Sequence, residues 1–499
     1  MLFSSWQFVL AFLPATFVIY FWLNRQRWIV GGKIWLVAVS LWFYGYWEPR
    51  YLPLIIGSIL LNYGLGTALA QSGGRATGTR VDGGRLRNRR MALTIGIASN
   101  LMLLGYYKYT GFVLQNFTAL LGVDFSVPHI LLPLAISFFT FTQIVYLVDS
   151  YRGETADYSL LNYALFVTYF PHLIAGPIVH HRQIMPQFSS PTSLPLRLPN
   201  VLLGLFIFSV GLFKKAVVAD TFAIWATAGF DGGQALDLYA AWAASLSYTL
   251  QLYFDFSGYC DMAIGASLLF NIWLPINFNS PYKALDIQDF WRRWHITLSS
   301  FLRDCLYIPL GGNRHGAWRT SLNLLVTFVL GGLWHGATWM FVAWGGLHGV
   351  ALVIHRSWKR MGGSMPSALG WLLTFLFVNC SWVFFRARRW DDARRILAGM
   401  VDIGSAASHD TSALPTADMA WAGWMFDRLA SWLPAGAVAQ LPSFLAIAAG
   451  FVLLAQRNAL ELAGSRIRTP QVLGAAGLFV VAMYFVLVTT SSVFLYFNF

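Results

Sequence analysis

The chain has 499 residues, of which 57% are hydrophobic and only 11% are charged, and it contains 22 tryptophans and 40 phenylalanines. Soluble proteins carry about 25% charged residues, so this composition excludes an ordinary soluble enzyme. A net charge of +13 would suit a nucleic-acid-binding protein, but basic cytoplasmic loops explain the same excess in a membrane protein. We therefore expect no nucleic-acid partner.

Apolar runs of about twenty residues recur along the chain, which is typical of a polytopic α-helical membrane protein. We predict an all-α protein with a single membrane domain over residues 1–499 and a first helix that is not cleaved as a signal peptide. About eleven to thirteen full crossings are expected. The predicted spans are 6–23, 31–47, 51–70, 91–108, 128–149, 157–178, 199–217, 238–256, 258–275, 320–341, 342–357, 369–386, 441–455 and 471–495.

Basic loops set the predicted orientation, because short loops rich in Lys and Arg stay in the cytoplasm. Segment 73–90 has six arginines and one aspartate, so we predict a flexible cytoplasmic loop there. Lys214-Lys215 and His355 to Arg360 fit the same side, which places both termini outside the cytoplasm.

Two segments differ from this pattern. Residues 386–397 are basic although the span count places them outside, and their apolar spacing predicts an interfacial amphipathic helix. Residues 401–440 are rich in Ala, Ser and Pro and are predicted to form an external loop with a short surface helix, a candidate surface for a partner.

Segment 279–315 alternates acidic, basic and aromatic residues in a chain that otherwise avoids charge. No part of it is apolar enough to span, so we predict short helices at the cytoplasmic face or in a cavity. Its arginines at 292, 293, 303 and 314 either bind the phosphates of an acyl donor or anchor the chain to anionic headgroups.

His335 lies in an otherwise uncharged hydrophobic run from Thr327 to Trp344. A histidine at membrane depth is a functional candidate, although a neighbouring helix can also satisfy it structurally. Gly332 and Gly336 have the spacing that permits close helix packing. Together with His295, about forty positions upstream, His335 suggests acyl-transfer chemistry.

A neutral His335 would take the proton from a hydroxyl that attacks a thioester, a step typically worth about 10²–10⁴-fold. His295 would orient the thioester, stabilise the oxyanion or assist His335. The polar residues Asp255, Ser257, Tyr259 and Asp261 would orient a histidine or line a cavity, or else hydrogen-bond helices together.

Other catalytic sites are not supported by the sequence. It contains no HExxH motif, no CxxC pair among its three cysteines and no GxSxG elbow. His348 and His355 are about 10.5 Å apart along a helix, too far to share one ion. The adjacent His180 and His181 are expected to point to different faces. We therefore predict no metal site.

Four motifs occur in order along the chain, Tyr253–Gly265, Asp289–Ser299, Tyr307–Arg314 and Gly332–Gly336. Further matches are Met1–Ser5, Tyr169–Pro177, Trp382–Ala387 and Phe494–Phe499. Together they resemble the membrane-bound O-acyltransferase (MBOAT) family, and more narrowly its bacterial alginate O-acetyltransferase branch. The resemblance implies a ring of transmembrane helices around a central funnel, with re-entrant and interfacial helices. It places His335 deep inside and His295 towards the cytoplasmic opening.

The resemblance also implies an acetyltransferase of the bacterial inner membrane. The expected donor is a cytoplasmic thioester, acetyl-CoA, and no bound cofactor is expected. The acetyl group would pass to an extracytoplasmic acetyltransferase in a polysaccharide synthesis and secretion complex. The acceptor would be an alginate- or cellulose-type exopolysaccharide, with peptidoglycan as the alternative.

The predicted catalytic residues are His335 and His295. The predicted substrate-binding residues are Asp255, Ser257, Tyr259, Trp294, Arg303, Asp304, Tyr307, Asn313, Arg314 and Trp334. A transporter of polysaccharide or lipid-linked sugar is the competing class, but the chain lacks the paired halves with matching interrupted helices that transporters often show. A non-enzymatic scaffold would tolerate loss of His335.

Overall fold

The computed structural model describes residues 1–72, 83–123, 130–155, 158–407, 434–464, 467–489 and Leu495. Every regular element among these residues is helical, which confirms the predicted all-α class. The chain forms two compact units. The first comprises Met1–Ser209, Tyr259–Ile276 and Ile467–Ala475, and the second comprises Val210–Gly258, Asn277–Arg466 and Ala476–Phe499.

The first unit contains nine α-helices among its described residues. They are α1 (Leu13–Arg25), α2 (Ile29–Gly45), α3 (Leu52–Ser72), α4 (Gly83–Leu104), α5 (Thr110–Leu121), α6 (Ile136–Arg152), α7 (Leu160–Thr168), α8 (Phe170–Leu173) and α9 (His181–Ser189). A π-helical turn, Phe8–Phe12, leads into α1, and α6 packs against α3 and α4.

Three helices contribute residues to both units, α10 (Leu198–Phe213), α12 (Leu238–Leu269) and, near the end of the chain, α22 (Thr469–Val488). The other described helices belong to the second unit. They are α11 (Asp220–Asp231), α13 (Ile287–Arg293), α14 (Ile296–Leu302), α15 (Gly316–His335), α16 (Trp339–Arg360), α17 (Ser367–Arg386), α18 (Trp390–Val401), α19 (Ala435–Ala439), α20 (Leu441–Ala455) and α21 (Ala459–Ala463).

Five helical stretches in the described part of the chain are long and apolar enough to cross a membrane, Phe8–Arg25, Pro49–Gln71, Leu198–Asp231, Ser367–Arg386 and Thr469–Val488. Ile29–Gly45 and Leu441–Ala455 are apolar but shorter. The predicted number of full crossings, the funnel and the single domain stay predictions.

Several predicted boundaries were wrong for identifiable reasons. The spans 238–256 and 258–275 are largely one helix, α12, because Gly258 does not break it. A Cβ on Gly258 would lie 2.7 Å from the carbonyl oxygen of Gly211, so this glycine permits close packing of two helices. The span 157–178 is divided into α7 and α8, and Pro171 lies in the first turn of α8.

The predicted loop 73–90 is also shorter at its end than expected, since α4 already begins at Gly83. Residues 73–82 lie outside the described residues. The same holds for 408–433, the centre of the predicted external loop, which is flanked by a 3₁₀ turn at Ile403–Ala407 and by α19.

The basic helix predicted at the membrane interface is present as α18, but its apolar face packs on protein. Ala393, Ile396 and Met400 are buried in the core of the second unit. Arg386, at the end of α17, forms a salt bridge of 2.7 Å with Asp231, and Arg395 donates to the backbone carbonyls of residues 229, 230 and 234. These two arginines therefore stabilise the fold, which explains basic residues where the orientation rule predicts few.

Candidate active site

The second unit brings the two predicted catalytic histidines together. The ring centroids of His295 and His335 are 6.3 Å apart, with an angle of 63° between the ring planes. His295 is fully buried and His335 is 5% exposed. The structure therefore brings the two imidazoles close together, and their catalytic role stays a prediction.

His335 is the last residue of α15, not an interior helix residue as the predicted span 320–341 implied. Gly336 and Thr338 are extended, and α16 starts at Trp339. The helix therefore ends beside the imidazole and the chain turns back. A Cβ on Gly336 would lie 2.1 Å from the ring of Phe341, so only glycine fits this turn without displacing that ring.

The two helices of this turn, α15 and α16, approach each other closely along their glycines. A Cβ on Gly332 would lie 2.2 Å from the backbone oxygen of Phe341, and a Cβ on Gly345 would lie 2.2 Å from that of Phe328. Gly332 thus has the packing role predicted for it, with Gly345 as the glycine opposite. This contact fixes the end of α15 and with it the position of His335.

His295 joins α13 to α14 in a left-handed conformation, with φ of 43° and ψ of 53°. Such a conformation is rare for a residue other than glycine, and it persists only where the surroundings hold it. Asn277 supplies that support. Its side-chain oxygen accepts from the Thr297 hydroxyl at 2.7 Å and from the Thr297 N–H at 3.2 Å, and it lies 3.3 Å from Nδ1 of His295.

The hydrogen bond from Nδ1 of His295 to this amide oxygen requires the proton on Nδ1, which leaves Nε2 as the acceptor nitrogen. Burial also lowers the pKa of His295 to about 3, so its imidazole is neutral at physiological pH. In this tautomer Nε2 carries a lone pair, so it can act as a hydrogen-bond acceptor.

Aromatic rings surround His335. Trp334 lies 5.0 Å away between ring centroids, and Trp344 and Phe385 each lie 5.2 Å away in edge-on geometry. His295 is flanked by Phe256 at 4.9 Å. Apolar walls lower the local dielectric, so proton transfer and oxyanion formation depend on the few polar groups present.

A pocket of about 790 Å³ lies among α13, α14, α15 and α16. Its apolar wall includes Trp291, Ile296, Leu302 and Phe328. We call it the basic pocket because its rim contains five cationic side chains, Arg292, Arg303, Arg356, Lys359 and Arg360. No Asp or Glu is among the described residues that line it, so it suits an anion of small-molecule size.

Comparison with known proteins identifies the family of this chain. The profile described as MBOAT, membrane-bound O-acyltransferase family, matches residues 95–389. A peptidoglycan O-acetyltransferase of Helicobacter pylori is 48% identical over 437 residues, which cover 82% of this chain and 81% of that protein. This chain belongs to the MBOAT family.

Two further relatives show the range of the MBOAT match. A probable alginate O-acetylase, AlgI, of Azotobacter vinelandii is 40% identical over 411 residues, covering 81% of this chain and 79% of that protein. A teichoic acid D-alanyltransferase of Streptococcus thermophilus is 27% identical over 284 residues, covering 50% of this chain and 68% of that protein. The chain is therefore a multi-pass membrane O-acyltransferase, and the resemblance in its motifs is confirmed.

The basic pocket contains only part of the substrate-binding set predicted for this MBOAT chain. Arg303 and Tyr307 line it, and both belong to a π-helical turn, Arg303–Tyr307, a local form that is frequent at functional sites. Asp304 pairs with Arg303 at 2.7 Å, while Asn313 and Arg314 are exposed and do not line the pocket. Their predicted contact with substrate stays a prediction.

Other predicted residues are buried in different surroundings. Trp294 lies in the aromatic core beside Trp382, at 4.9 Å between ring centroids. Asp255 accepts a hydrogen bond from Lys215 at 2.8 Å and another from the Leu495 N–H at 3.0 Å. Its hydrogen-bond partners thus include Lys215 and Leu495, which agrees with the alternative that Asp255 holds structural elements together.

Ser257 and Tyr259 are also buried. Ser257 belongs to the second unit, whereas Tyr259 belongs to the first, where its ring stacks on Phe3 at 4.8 Å.

Sequence reasoning missed Arg356, Lys359 and Arg360 as site residues, because they were counted only as charges of a cytoplasmic loop. The structure puts them on the last turns of α16, along the basic pocket. The available signal was their helical spacing, since positions three and four apart share a helix face. Asn277 was missed too, because nothing in its sequence context marks it.

The expectation that His180 and His181 point to different faces was wrong. Nε2 of each ring lies 2.9 Å from the same oxygen of Asp149. The atoms of these three residues that could bind a metal ion lie within 4.8 Å of one another. However, Nδ1 of His180 accepts the Arg182 N–H, so its proton is on Nε2 and is donated to Asp149. This arrangement favours a hydrogen-bonded cluster that ties α9 to α6.

Proposed function

We propose that this MBOAT enzyme transfers an acetyl group from a cytoplasmic thioester, acetyl-CoA, to a hydroxyl, and that the acetyl group is destined for a glycan outside the inner membrane of a bacterium. The single observation that carries the donor assignment is the basic pocket, with five cationic side chains around an apolar wall. A CoA thioester combines several phosphate charges with an organic body, which such a pocket matches.

The histidine pair supplies the chemistry in this proposal. A neutral His335 accepts the proton of the acceptor hydroxyl while the hydroxyl oxygen bonds to the thioester carbonyl carbon. The carbon–sulfur bond then breaks, and the sulfur leaves as thiolate and takes up a proton. His295, 6.3 Å from His335 between ring centroids, orients the thioester or assists the proton transfer.

The cations of the basic pocket would hold the donor phosphates. Arg292 and Arg356 carry planar guanidinium groups that can form paired hydrogen bonds to phosphate oxygens, whereas Nε and Nη2 of Arg303 already donate to Asp304. Nε of Arg356 is buried and has no hydrogen-bond partner among the described residues. The bacterial relatives and the predicted cytoplasmic side of His355 to Arg360 support the inner-membrane location.

For the acceptor, the comparisons favour peptidoglycan over the exopolysaccharide that the motifs first suggested. Identity to the peptidoglycan O-acetyltransferase of Helicobacter pylori is 48%, against 40% to the probable alginate O-acetylase of Azotobacter vinelandii. An alginate- or cellulose-type exopolysaccharide stays the second candidate. An extracytoplasmic acetyltransferase partner within the glycan-building complex would complete the transfer in either case.

The acceptor is tested in a deletion strain complemented with wild type or with His335→Ala. Base-labile acetate is measured separately in purified peptidoglycan and in secreted polysaccharide. We expect it to fall in peptidoglycan on deletion and to return only with wild type. Loss from secreted polysaccharide alone would reverse the choice of acceptor, and no loss from either would contradict the proposed function.

A further inference from the structure

His348 is fully buried on α16, and both of its ring nitrogens have partners. The indole N–H of Trp291 donates to Nδ1 of His348 at 3.2 Å. An indole nitrogen can only donate, so Nδ1 is the acceptor and the imidazole proton lies on Nε2. Nε2 then donates to the hydroxyl of Ser381 at 3.0 Å, and that hydroxyl donates to the backbone oxygen of Val378 at 2.8 Å.

These hydrogen bonds connect three helices, and each donates in the same order along the chain of partners. Trp291 is on α13, His348 is on α16 and Ser381 is on α17. Each donor has one acceptor, which fixes the tautomer and the rotation of the imidazole. A buried polar side chain satisfied on both sides rigidifies its surroundings, whereas one that loses a partner is costly.

Trp291 connects this network to the basic pocket, because its ring forms part of the pocket wall. The ring also contacts Phe328 at 4.9 Å, Trp344 at 5.9 Å and His348 at 5.1 Å between centroids. Trp344 in turn lies 5.2 Å from His335. Ring contacts through Trp291 and Trp344 therefore connect the wall of the basic pocket to His335.

We propose that His348 is a positioning residue that sets the Trp291 ring as the boundary between the donor pocket and the His295–His335 pair. His348 has no place for the reacting atoms, since its two nitrogens are engaged with Trp291 and Ser381. Its role is to keep the pocket wall in the rotamer that directs the thioester towards His335. The kinetic effects expected of this role rest on the proposed function, whereas its structural effects do not.

Four variants test the positioning role. His348→Gln retains one acceptor and one donor, whereas His348→Leu fills the site without either. Trp291→Phe retains a ring in the wall and removes only the N–H. The matched control is Trp371→Phe, which removes another indole hydrogen bond in the same unit, to the Tyr282 carbonyl at 2.9 Å, away from the pocket.

The first readout is the apparent KM and the kcat of purified enzyme with acetyl-CoA. Loss of a buried hydrogen bond should raise KM about five- to tenfold in His348→Leu and in Trp291→Phe, with a smaller change in kcat. His348→Gln and the control should stay within about twofold of wild type. Either single change already removes the hydrogen bond between Trp291 and His348, so the double variant His348→Leu/Trp291→Phe should lose little more than His348→Leu, which also removes the bond to Ser381.

The second readout requires no donor. Amide hydrogen exchange in Ile287–Arg293 should accelerate in His348→Leu and in Trp291→Phe, and not in His348→Gln or the control. Wild-type KM in both Trp291→Phe and His348→Leu, fully additive losses, or unchanged exchange would overturn the positioning role. If wild type neither binds CoA nor consumes acetyl-CoA, the proposed function fails, and the exchange result still decides the role of His348. Trp291→Phe keeps the test valid if His348→Leu does not fold.

Discussion

At the scale of single residues, the site depends on how two histidines are held. His335 is fixed by the end of a helix, whereas His295 is fixed by the side chain of Asn277. The sequence marks His335 because its neighbours are apolar, and it marks His295 because the charged segment 279–315 is exceptional in this chain. It does not mark Asn277, since an amide whose partners are 18 and 20 positions away leaves no local pattern.

Asn277 offers a test of this support. Asn277→Ala removes the acceptor for Thr297 and the partner of Nδ1 of His295, so we expect kcat to fall at least about tenfold. The apparent KM for acetyl-CoA should change little, because Asn277 does not line the basic pocket. Asn277→Asp keeps an acceptor oxygen and should retain more activity than Asn277→Ala. Equal kcat for wild type and Asn277→Ala would show that His295 needs no such support.

The basic pocket allows a matched comparison of two arginines. Arg356 lines the pocket, whereas Arg314 is exposed outside its lining. We expect Arg356→Gln and Arg356→Lys both to raise the KM for acetyl-CoA about tenfold, because lysine does not reproduce a paired guanidinium–phosphate contact. Arg314→Gln, measured in the same lipid, is the control. A KM that rises for Arg314→Gln and not for Arg356→Gln would return the donor site to the arginine predicted from sequence.

At the scale of elements, the structure corrects the predicted spans at two glycines, one inside a helix and one at a helix end. The spans 238–256 and 258–275 were predicted as separate helices, whereas Gly258 is a packing position inside the single helix α12. The spans 320–341 and 342–357 were predicted to meet after residue 341, and the break at Gly336 was missed. Hydrophobicity alone does not separate these cases, since the difference is in tertiary contacts that lie far apart in the chain.

The joint between α15 and α16 gives a prediction of stability. Gly345→Ala should lower the thermal unfolding midpoint in a fixed detergent, because its Cβ would lie 2.2 Å from the backbone oxygen of Phe328. Gly346→Ala is the control on the same helix, since no atom lies within 4 Å of its added Cβ. That variant should be neutral or slightly stabilising, as alanine favours helix. Equal unfolding midpoints for the two variants would contradict the close packing of α15 against α16 at Gly345.

At the scale of the whole molecule, composition and motifs were sufficient to predict the all-α class and the family. The order of the motifs along the chain carried the family, and the profile over residues 95–389 confirms it. The basic pocket could not be predicted in full, because its lining comes from segments between residues 288 and 360 that only folding brings together. Sidedness follows from charge alone and stays a prediction.

Sidedness is testable with single cysteines at Thr77 and Ser408, two positions outside the described residues. The three native cysteines are first replaced by serine, with activity as the check on folding. An impermeant thiol reagent should then label the two sites from opposite sides, since a loop dense in arginine resists translocation. Labelling of both from one side would contradict the predicted orientation.

The role of His335 as the base is tested most directly by measuring the release of CoA from acetyl-CoA. Purified wild type and His335→Ala are compared in the presence of a surrogate hydroxyl acceptor. Binding of CoA is measured in parallel, because His335 does not line the basic pocket. We expect His335→Ala to bind CoA as wild type does and to release CoA from acetyl-CoA at least about 10²-fold more slowly. Release at the wild-type rate by a folded His335→Ala protein would contradict its role as the base.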